Sequence, residues 1–392
     1  MSVQNRSHLS DLRGAARMAV DGAGAIADAV EKMHRTIQVG PGPLGVDVTD
    51  RTQGITGLVY RSIQTGIRLV GRAVDAGLAP AMRSQPGGEP SRTRDAFRAA
   101  ANGMYGDYLS RTGNPLAIEM SLHHRDQQVD LDDPMRTIKQ HDDVKPELSK
   151  LLVLVHGCCM NDHQWNRDGH DHGAAIGDEL GQLPLYLRYN SGLNIASNGR
   201  MFAELLEALI GNWKQPVQEL TVMGHSMGGL VARSACHYGR EAGHAWPNFL
   251  RKLIFLGTPH HGAPLEQGGH GLDVLMGLSP YSMPLARLSR ARSAGITDLR
   301  HGTISAGGDT VPLPFGVRCY AAAAVCAAKR GLLSDKLVGD GLVTLDSALG
   351  RHRDGTRSLK IPKSRQWVGY GLSHHDLLNH PDVYAQVRCW LQ

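Results

Sequence analysis

The stretch ELTVMGHSMGGLVARSACHYG, residues 219–239, decides the fold. Its first seven residues are mostly apolar, which is typical of a strand buried inside a sheet, and its last fourteen are typical of a helix. Between them, GHSMGG at 224–229 fits the pattern G-x-S-x-G. This pattern between a strand and a helix places the serine on a sharp turn above the sheet. The stretch therefore predicts a nucleophile elbow, with Ser226 as the nucleophile.

The residues around Ser226 fit this turn. Side chains flanking such a turn would clash with neighbouring chain, so Gly224 and Gly228 are expected on either side of the elbow, with His225 completing it. The N-terminus of the following helix favours a developing negative charge. The alternative, a glycine-rich turn without chemistry, explains the strand before it and the helix after it less well.

Outside this stretch, strands and helices alternate along the chain. Strands are predicted at 116–124, 127–133, 151–157, 183–190, 251–258, 316–325 and 365–373, and helices at 199–213 and 380–392. Alternation of this kind produces a doubly wound, mostly parallel α/β sheet with helices on both faces. The predicted fold class is therefore α/β.

A serine hydroxyl is a weak nucleophile that needs a base. The segment LSHHDLLNH offers three histidines. His374 follows the predicted strand 365–373 directly, which would place it on a loop above the sheet, and it is the predicted base. His375 is the first alternative and His380, next to Pro381, is the second.

The base in turn needs an orienting acid, which this topology supplies before the histidine. Asp340 lies between two glycines in VGDGLV, where a tight loop can direct its carboxylate at the imidazole. Asp340 is the predicted acid and Asp335 is the alternative.

An oxyanion hole needs two backbone N–H donors. Met227, the residue after the nucleophile, is one predicted donor. The other is Cys158, which follows the predicted strand 151–157 and is preceded by Gly157. His156, at the end of that strand, is interpreted as a packing and hydrogen-bonding residue.

Five segments together resemble a known family: LVLVHG (152–157), GHSMGG (224–229), GTPHHGAP (257–264), GDGLV (339–343) and HHDLL (374–378). The chain resembles the bacterial lipase and esterase branch of the α/β-hydrolases, which includes GPI-inositol-deacylase-like proteins. The resemblance implies an α/β-hydrolase fold and a serine carboxylic-ester hydrolase that acts through an acyl-enzyme. It assigns the triad to Ser226, Asp340 and His374, and the oxyanion donors to Cys158 and Met227.

Other functions use the same residues. An acyltransferase or thioesterase would carry the same triad, and a catalytically inactive binding protein could retain the fold. The expected partner is a small-molecule or lipid ester, with no cofactor and no metal. Some lipases of this group bind calcium two residues after the catalytic histidine, where Asp376 stands, but a second acidic ligand is missing. The His- and Asp-rich stretch 161–173 is interpreted as an entrance loop.

The sequence also predicts a division into domains. Residues 1–100 are predicted to form a helical N-terminal extension and 103–392 the catalytic domain, with a Met- and Leu-rich lid or cap at 265–310. The extension could pack on the main domain or on a second copy, and peripheral membrane contact through its helices is the alternative. Its helical patterns lie around 26–37 and 55–78.

Composition limits the possible functions. The net charge is +5 for 392 residues, without a block of like charge, so no nucleic-acid partner is expected. No signal peptide or membrane-spanning run is recognised, which predicts a cytoplasmic protein. The six cysteines are predicted to be mostly buried thiols, with a Cys319–Cys326 bridge as the alternative.

Overall fold

The computed structural model describes residues 8–39, 60–67, 69, 92–139, 149–263, 293–328 and 339–392. The chain divides into two compact units, Met1–Pro90 with Thr112–Leu116, and Ser91–Arg111 with Ala117–Gln392. The helices are α1 (His8–Val39), α2 (Arg92–Arg111), α3 (Pro134–Lys139), α4 (His172–Leu180), α5 (Ile195–Gly211), α6 (Met227–Glu241), α7 (Ala294–His301), α8 (Leu345–Ala348) and α9 (Pro381–Leu391).

The first unit is helical over its described residues before 90, while Thr112–Leu116 form turns. Helix α1 is longer than the predicted pattern around 26–37, and residues 60–67 are also helical. The Gln64 side chain donates hydrogen bonds to Glu31, at 3.3 Å, and to Asp28. Across the described part of the chain, none of the helices combines the length and the apolar character needed to cross a bilayer.

The second unit contains the sheet. Its strands are β1 (Ser121–His124), β2 (Gln127–Gln128), β3 (Lys150–Val155), β4 (Asn166–Arg167), β5 (His170–Asp171), β6 (Leu183–Arg188), β7 (Glu219–His225), β8 (Leu250–Leu256), β9 (Arg318–Val325) and β10 (Gln366–Tyr370). Within the described residues, eight of them form one sheet in the order β10-β9-β8-β7-β3-β6-β1-β2, and β4 and β5 pair separately. Neighbours from β10 to β6 are parallel, while β1 is antiparallel to both β6 and β2.

Alternate residues of the central strands point to opposite faces, so each face has its own core. Val153 and Val155 of β3 lie in the core that includes buried residues of α5 and α6. Leu152 and Leu154 lie in the other core, with residues of α4 and α9. Helices therefore cover both faces, and the predicted doubly wound α/β fold is confirmed. The strand order and the turn after β7 are those of the α/β-hydrolase fold.

The structure differs from the sequence prediction at several boundaries. The strand predicted at 127–133 ends at Gln128, because the Asp130 carboxylate accepts a hydrogen bond from Asp132 N and Pro134 then starts α3. All six cysteines are free thiols, so the Cys319–Cys326 alternative is wrong. Of the predicted lid at 265–310, residues up to 292 lie outside the described part, and α7 lies in the remainder. The domain boundaries at 100 and 103 stay predictions.

Candidate active site

Ser226 lies on the turn between β7 and α6. Its backbone has φ 53° and ψ −124°, outside the ordinary regions for a residue with a side chain, and its N–H donates to Leu256 O at 2.8 Å. A Cβ on Gly224 would lie 2.5 Å from Gly229 N, and one on Gly228 would lie 2.5 Å from His156 O. Real Cβ atoms do not come so close to backbone atoms, so both glycines are required for this turn.

The carboxylate of Asp340 is held by its own loop. Its Oδ1 accepts hydrogen bonds from Leu342 N at 3.0 Å and Val343 N at 2.8 Å. Its Oδ2 lies 2.6 Å from Nδ1 of His374, and His374 N donates to Asp340 O at 3.1 Å. Both side chains are almost fully buried. The carboxylate therefore fixes the orientation of the imidazole, with Nδ1 as the protonated nitrogen.

The segments after β3, β7, β8 and β10 meet at the carboxyl edge of the sheet. A Cβ on Gly157, after β3, would lie 3.2 Å from Ser226 Cβ, and one on Gly257, after β8, would lie 2.9 Å from His374 Cε1. Within the described residues, His374 Nε2 is buried and has no hydrogen-bond partner. His374 Nε2 therefore lies at the same edge of the sheet as Ser226. Without a hydrogen-bond partner among these residues, this nitrogen is available to exchange a proton.

His225 connects the elbow to the histidine loop. Its Nε2–H donates to the backbone oxygen of His374 at 3.2 Å, and the two rings lie 4.7 Å apart between centroids. Burial, followed by the nearby His374 and His375, lowers the pKa of His225 well below its ordinary value. His225 is therefore a neutral donor that holds the loop on which His374 lies.

The two alternative histidines have other surroundings. The ring of His375 lies 5.6 Å from that of His374, and burial lowers the pKa of His375 to about 3. His380 caps α9, where its side chain accepts a hydrogen bond from Asp382 N at 3.3 Å. Of the three histidines, His374 is the one that hydrogen-bonds Asp340 among the described residues. The alternative acid Asp335 lies outside them.

The two predicted oxyanion donors lie on different turns. Met227 is the first residue of α6, where backbone N–H groups have no acceptor within the helix. Cys158 is buried on the turn that follows β3. The next residue, Cys159, has a left-handed backbone with φ 60°, and its N–H donates to Ser191 Oγ at 3.0 Å.

Helix α2 packs against this turn, which the sequence did not predict. A Cβ on Gly103 would lie 2.9 Å from both Cα and N of Cys159. Asn190 Nδ2 donates to Gly106 O at 2.9 Å, and Ser293 Oγ donates to Gly103 O at 2.6 Å. Small residues near the middle of α2 were the available signal, but the sequence does not say which loop they face.

His156 has the structural role predicted for it. Its ring stacks on Tyr189 with centroids 4.3 Å apart, and its Nδ1–H donates to Gly157 O at 2.8 Å. Tyr189 OH donates to His156 O at 2.9 Å. Burial lowers the pKa of His156 to about 4, so it is a neutral residue that fixes the end of β3.

The loop after the Cys158 turn carries a network of charges. Arg188 Nε lies 2.6 Å from Asp162 Oδ1, and His163 Nε2 lies 3.1 Å from Asp95 Oδ2 of α2. Burial alone would raise the pKa of Asp162, but His123 and Arg188 lower it, and the net shift is downward. The opposite charges of this network neutralise each other. Among the described residues, no group of three or more Asp, Glu, His or Cys side chains could hold a metal ion.

Asp376, considered above as a calcium ligand, has protein partners. Its Oδ2 accepts hydrogen bonds from the backbone N and the Oγ of Ser373, both at 2.7 Å. These hydrogen bonds close the turn that carries His374, so Asp376 has a structural role here. The absence of a metal or cofactor stays a prediction.

Comparisons with known proteins agree with the fold. A family model described as a PGAP1-like alpha/beta domain matches residues 194–309, which include the elbow, and this confirms the predicted resemblance. The search of curated proteins returns no match.

Solved structures similar to this chain include three ester hydrolases. The mature Bacillus licheniformis lipase BlEst2 is 17% identical with a TM-score of 0.44, over 64% of this chain and 94% of that one. A Pyrobaculum calidifontis esterase is 14% identical with a TM-score of 0.40, over 63% and 75%. The metagenomic carboxyl esterase MGS0156 is 15% identical with a TM-score of 0.37, over 76% and 87%.

Proposed function

We propose that this chain is a serine carboxylic-ester hydrolase that acts on a small-molecule or lipid ester. The observation that carries the proposal is the 2.6 Å pair of His374 and Asp340 at the same edge of the sheet as the Ser226 elbow. A serine on such a turn, a histidine with one free nitrogen and a buried carboxylate are the three parts that nucleophilic acyl transfer needs.

The first half of the reaction forms an acyl-enzyme. His374 Nε2 takes the proton of Ser226 Oγ while that oxygen attacks the ester carbonyl, and the carbonyl oxygen becomes an oxyanion. The N–H groups of Cys158 and Met227 stabilise this oxyanion, each by about 3 kcal/mol in the transition state. The C–O bond to the alcohol then breaks, and His374 returns the proton to the leaving alcohol.

The second half uses water. His374 Nε2 takes a proton from water, the hydroxide attacks the acyl carbonyl, and the bond to Ser226 Oγ breaks as the proton returns to the serine. The Asp340 carboxylate stabilises the imidazolium that forms twice in each cycle. His225 holds the His374 backbone, so both proton transfers occur with the ring in one orientation.

The decisive experiment compares wild type with Ser226→Ala. Wild type should react with a fluorescent fluorophosphonate and hydrolyse p-nitrophenyl esters, while Ser226→Ala should lose labelling and about six orders of magnitude in kcat. Ser364→Ala, which removes an exposed hydroxyl, is the matched control and should behave like wild type. Full activity in Ser226→Ala would disprove the assignment.

The same preparations separate the alternatives that share the triad. Activity on acyl thioesters against oxygen esters distinguishes a thioesterase, and transfer of the acyl group to an added alcohol distinguishes an acyltransferase. Folded wild type that neither labels nor turns over any of these substrates would favour a binding protein on a hydrolase fold.

A further inference from the structure

The net charge of the chain is concentrated in one segment, RHRDGTRSLKIPKSR at 351–365. The chain carries 42 Lys and Arg and 37 Asp and Glu. This segment holds six of the basic residues and one of the acidic residues. The rest of the chain therefore has 36 of each and is formally neutral. Because the basic residues are interspersed with others, the segment does not stand out as a block of like charge.

Most of these cations are exposed and lack a carboxylate partner. Arg353, Arg357, Lys360 and Lys363 are exposed, and none forms an ion pair within 4.0 Å in the described part of the chain. Elsewhere on the surface, Arg136 and Lys214 are paired with Asp130 and Asp133. Unpaired cations spread along a short segment produce a local positive potential that paired ones do not.

An apolar loop, residues 310–316, lies beside the basic segment. Its Phe315 side chain is 88% exposed, the largest value among the large hydrophobic residues of the described chain. Arg240 donates a hydrogen bond to Phe315 O, which holds the tip of the loop to α6. Pro312 is also exposed, and Leu313 and Pro314 are half-buried, so Phe315 belongs to a run of accessible apolar residues. Contiguous exposed apolar residues rimmed by polar ones mark contact surfaces, whereas a single one does not.

The loop and the basic segment share one cavity of about 390 Å³. Its lining combines two cations, three hydroxyl groups and an apolar side: Arg357, Lys360, Thr310, Thr356, Ser358 and Leu313. The Thr356 hydroxyl donates to Asp354 Oδ1 at 2.6 Å and the Ser358 hydroxyl to Gly350 O at 3.3 Å. The donors that the cavity offers to a phosphate ester are therefore chiefly the two cations, and charge-assisted donors of this kind suit a phosphate. Lys360 holds a left-handed backbone with φ 55°, a conformation that is uncommon for a residue other than glycine.

We infer that this surface, residues 310–316 with 351–365, binds the anionic surface of a lipid bilayer. The unpaired cations would lie against the headgroups, the cavity would take one phosphate headgroup, and Phe315 would enter the boundary between headgroups and acyl chains. An apolar aromatic tip next to a cationic rim fits a bilayer, because a bilayer offers negative charge and an apolar layer at adjacent depths.

The position of this surface separates binding from catalysis. Residues 315–316 lead into β9 and 363–365 lead into β10, so these parts of the surface lie at the amino edge of the parallel strands. The start of the basic segment extends away from that edge, since the His352 ring lies 4.9 Å from that of His261, which follows β8. Ser226 follows β7 at the opposite, carboxyl edge. The surface therefore anchors the protein without covering the catalytic residues, and hydrolysis of a water-soluble ester should not depend on it.

Vesicle flotation of the full chain tests this inference. Wild type should float with vesicles of equal parts phosphatidylcholine and phosphatidylserine, and much less with phosphatidylcholine alone. Each basic residue near an anionic surface contributes about fivefold to partitioning, so Arg357→Gln/Lys360→Gln should bind about 25-fold more weakly. Phe315→Ser should also weaken binding, but it should leave the dependence on salt concentration unchanged, while the double variant reduces that dependence.

The control variant also removes two positive charges, but from the other end of the sheet. Arg136→Gln/Lys214→Gln should float like wild type, since Arg136 lies on α3 after β2 and Lys214 pairs with Asp133 just before α3, whereas β2 and β10 are opposite ends of the sheet. The inference is overturned if wild type does not bind the anionic vesicles, or if Arg357→Gln/Lys360→Gln binds them as strongly as wild type, which would place the contact elsewhere, such as in the N-terminal helices. Flotation needs no turnover, so Ser226→Ala should float normally whatever its activity.

Discussion

Two turns supply the proposed oxyanion donors, and they reach their conformations in different ways. The elbow turn, 224–229, depends on glycines within itself, because side chains at Gly224 and Gly228 would collide with backbone. The other turn, 157–159, has the non-glycine Cys159 at φ 60°, held by a hydrogen bond from its N–H to Ser191 and by contact with Gly103. Both turns hold a non-glycine residue at positive φ, Ser226 and Cys159, and both contact distant parts of the chain. They differ in where the required residues lie: the elbow has its glycines within the turn and is in this sense locally encoded, whereas the second turn relies on Gly103 and Ser191, which are distant in the chain.

The largest expected effect comes from breaking the locally encoded turn. In Gly228→Ala the new Cβ would lie 2.5 Å from His156 O and 2.7 Å from Val155 C, both backbone atoms of the central strand segment. The helix must move, and Met227 N–H moves with it, so we expect at least a thousandfold loss of kcat and a loss of stability of about 3 kcal/mol. Ester hydrolysis and urea unfolding measure the two effects.

Gly211→Ala is the matched control for this variant. It adds the same methyl group at the end of α5, where nothing lies within 4 Å, and it should keep wild-type activity. If Gly228→Ala kept wild-type kcat, the close approach of α6 to β3 would not be needed for catalysis.

Disturbing the second turn, 157–159, by a substitution on α2 should have a smaller effect on kcat. In Gly103→Ala the added Cβ would lie 2.9 Å from Cys159 Cα and N, so the turn must shift relative to α2. A shift of this kind misaligns the Cys158 N–H, and we expect kcat to fall by about a hundredfold while KM changes little. Equal losses in kcat and kcat/KM, with Ser226 still labelled by a fluorophosphonate, would identify an effect on the transition state.

The same contrast explains what the sequence could and could not predict. The elbow, the Asp340 loop and the His374 segment each follow a strand, so local patterns were enough to identify them and to predict the α/β fold. The structure places His374 Nδ1 2.6 Å from Asp340 Oδ2, and the catalytic roles of these two residues stay predictions. Helix α2 was not predicted: the expected boundary between the extension, 1–100, and the catalytic domain, 103–392, falls within its residues.

The role of α2 and of Ser191 depends on long-range packing. Ser191 lies 32 residues after Cys159 in the chain, and no local pattern connects the two. Likewise, the positive charge at 351–365 indicates a binding surface only together with the exposed Phe315. That residue lies on a loop before a different strand. Spacing along the chain carries no information of this kind.

Removing the hydroxyl that holds Cys159 should have a moderate effect. In Ser191→Ala the buried Cys159 N–H loses its acceptor, which costs about 1–3 kcal/mol of stability, and we expect kcat to fall about tenfold. Ser234→Ala is the matched control, since Ser234 Oγ is also buried and donates to Ile304 O at 2.6 Å. Equal losses of kcat in both variants would mean that the Ser191 hydroxyl acts only through general stability.

The smallest effect concerns a second link between α2 and the loop after Cys158, the pair of His163 and Asp95. Its hydrogen bond to Asp95 raises the pKa of His163, partly offset by burial, with Asp162 and Asp126 raising it further and Arg188 lowering it. A histidine whose pKa is raised in the folded state stabilises that state fully below its unfolded pKa of about 6.5, and this contribution is lost as the pH rises through the folded pKa.

Wild type should therefore exceed His163→Gln in free energy of unfolding by about 1 kcal/mol below pH 6.5, and by less as the pH rises. Urea unfolding of both proteins across this range measures the difference. Asp95, whose pKa is lowered despite its burial, stays ionised throughout, so the change belongs to His163. A difference that did not vary with pH would show that His163 contributes packing rather than charge, and would leave Gly103 as the main contact by which α2 holds the Cys158 turn.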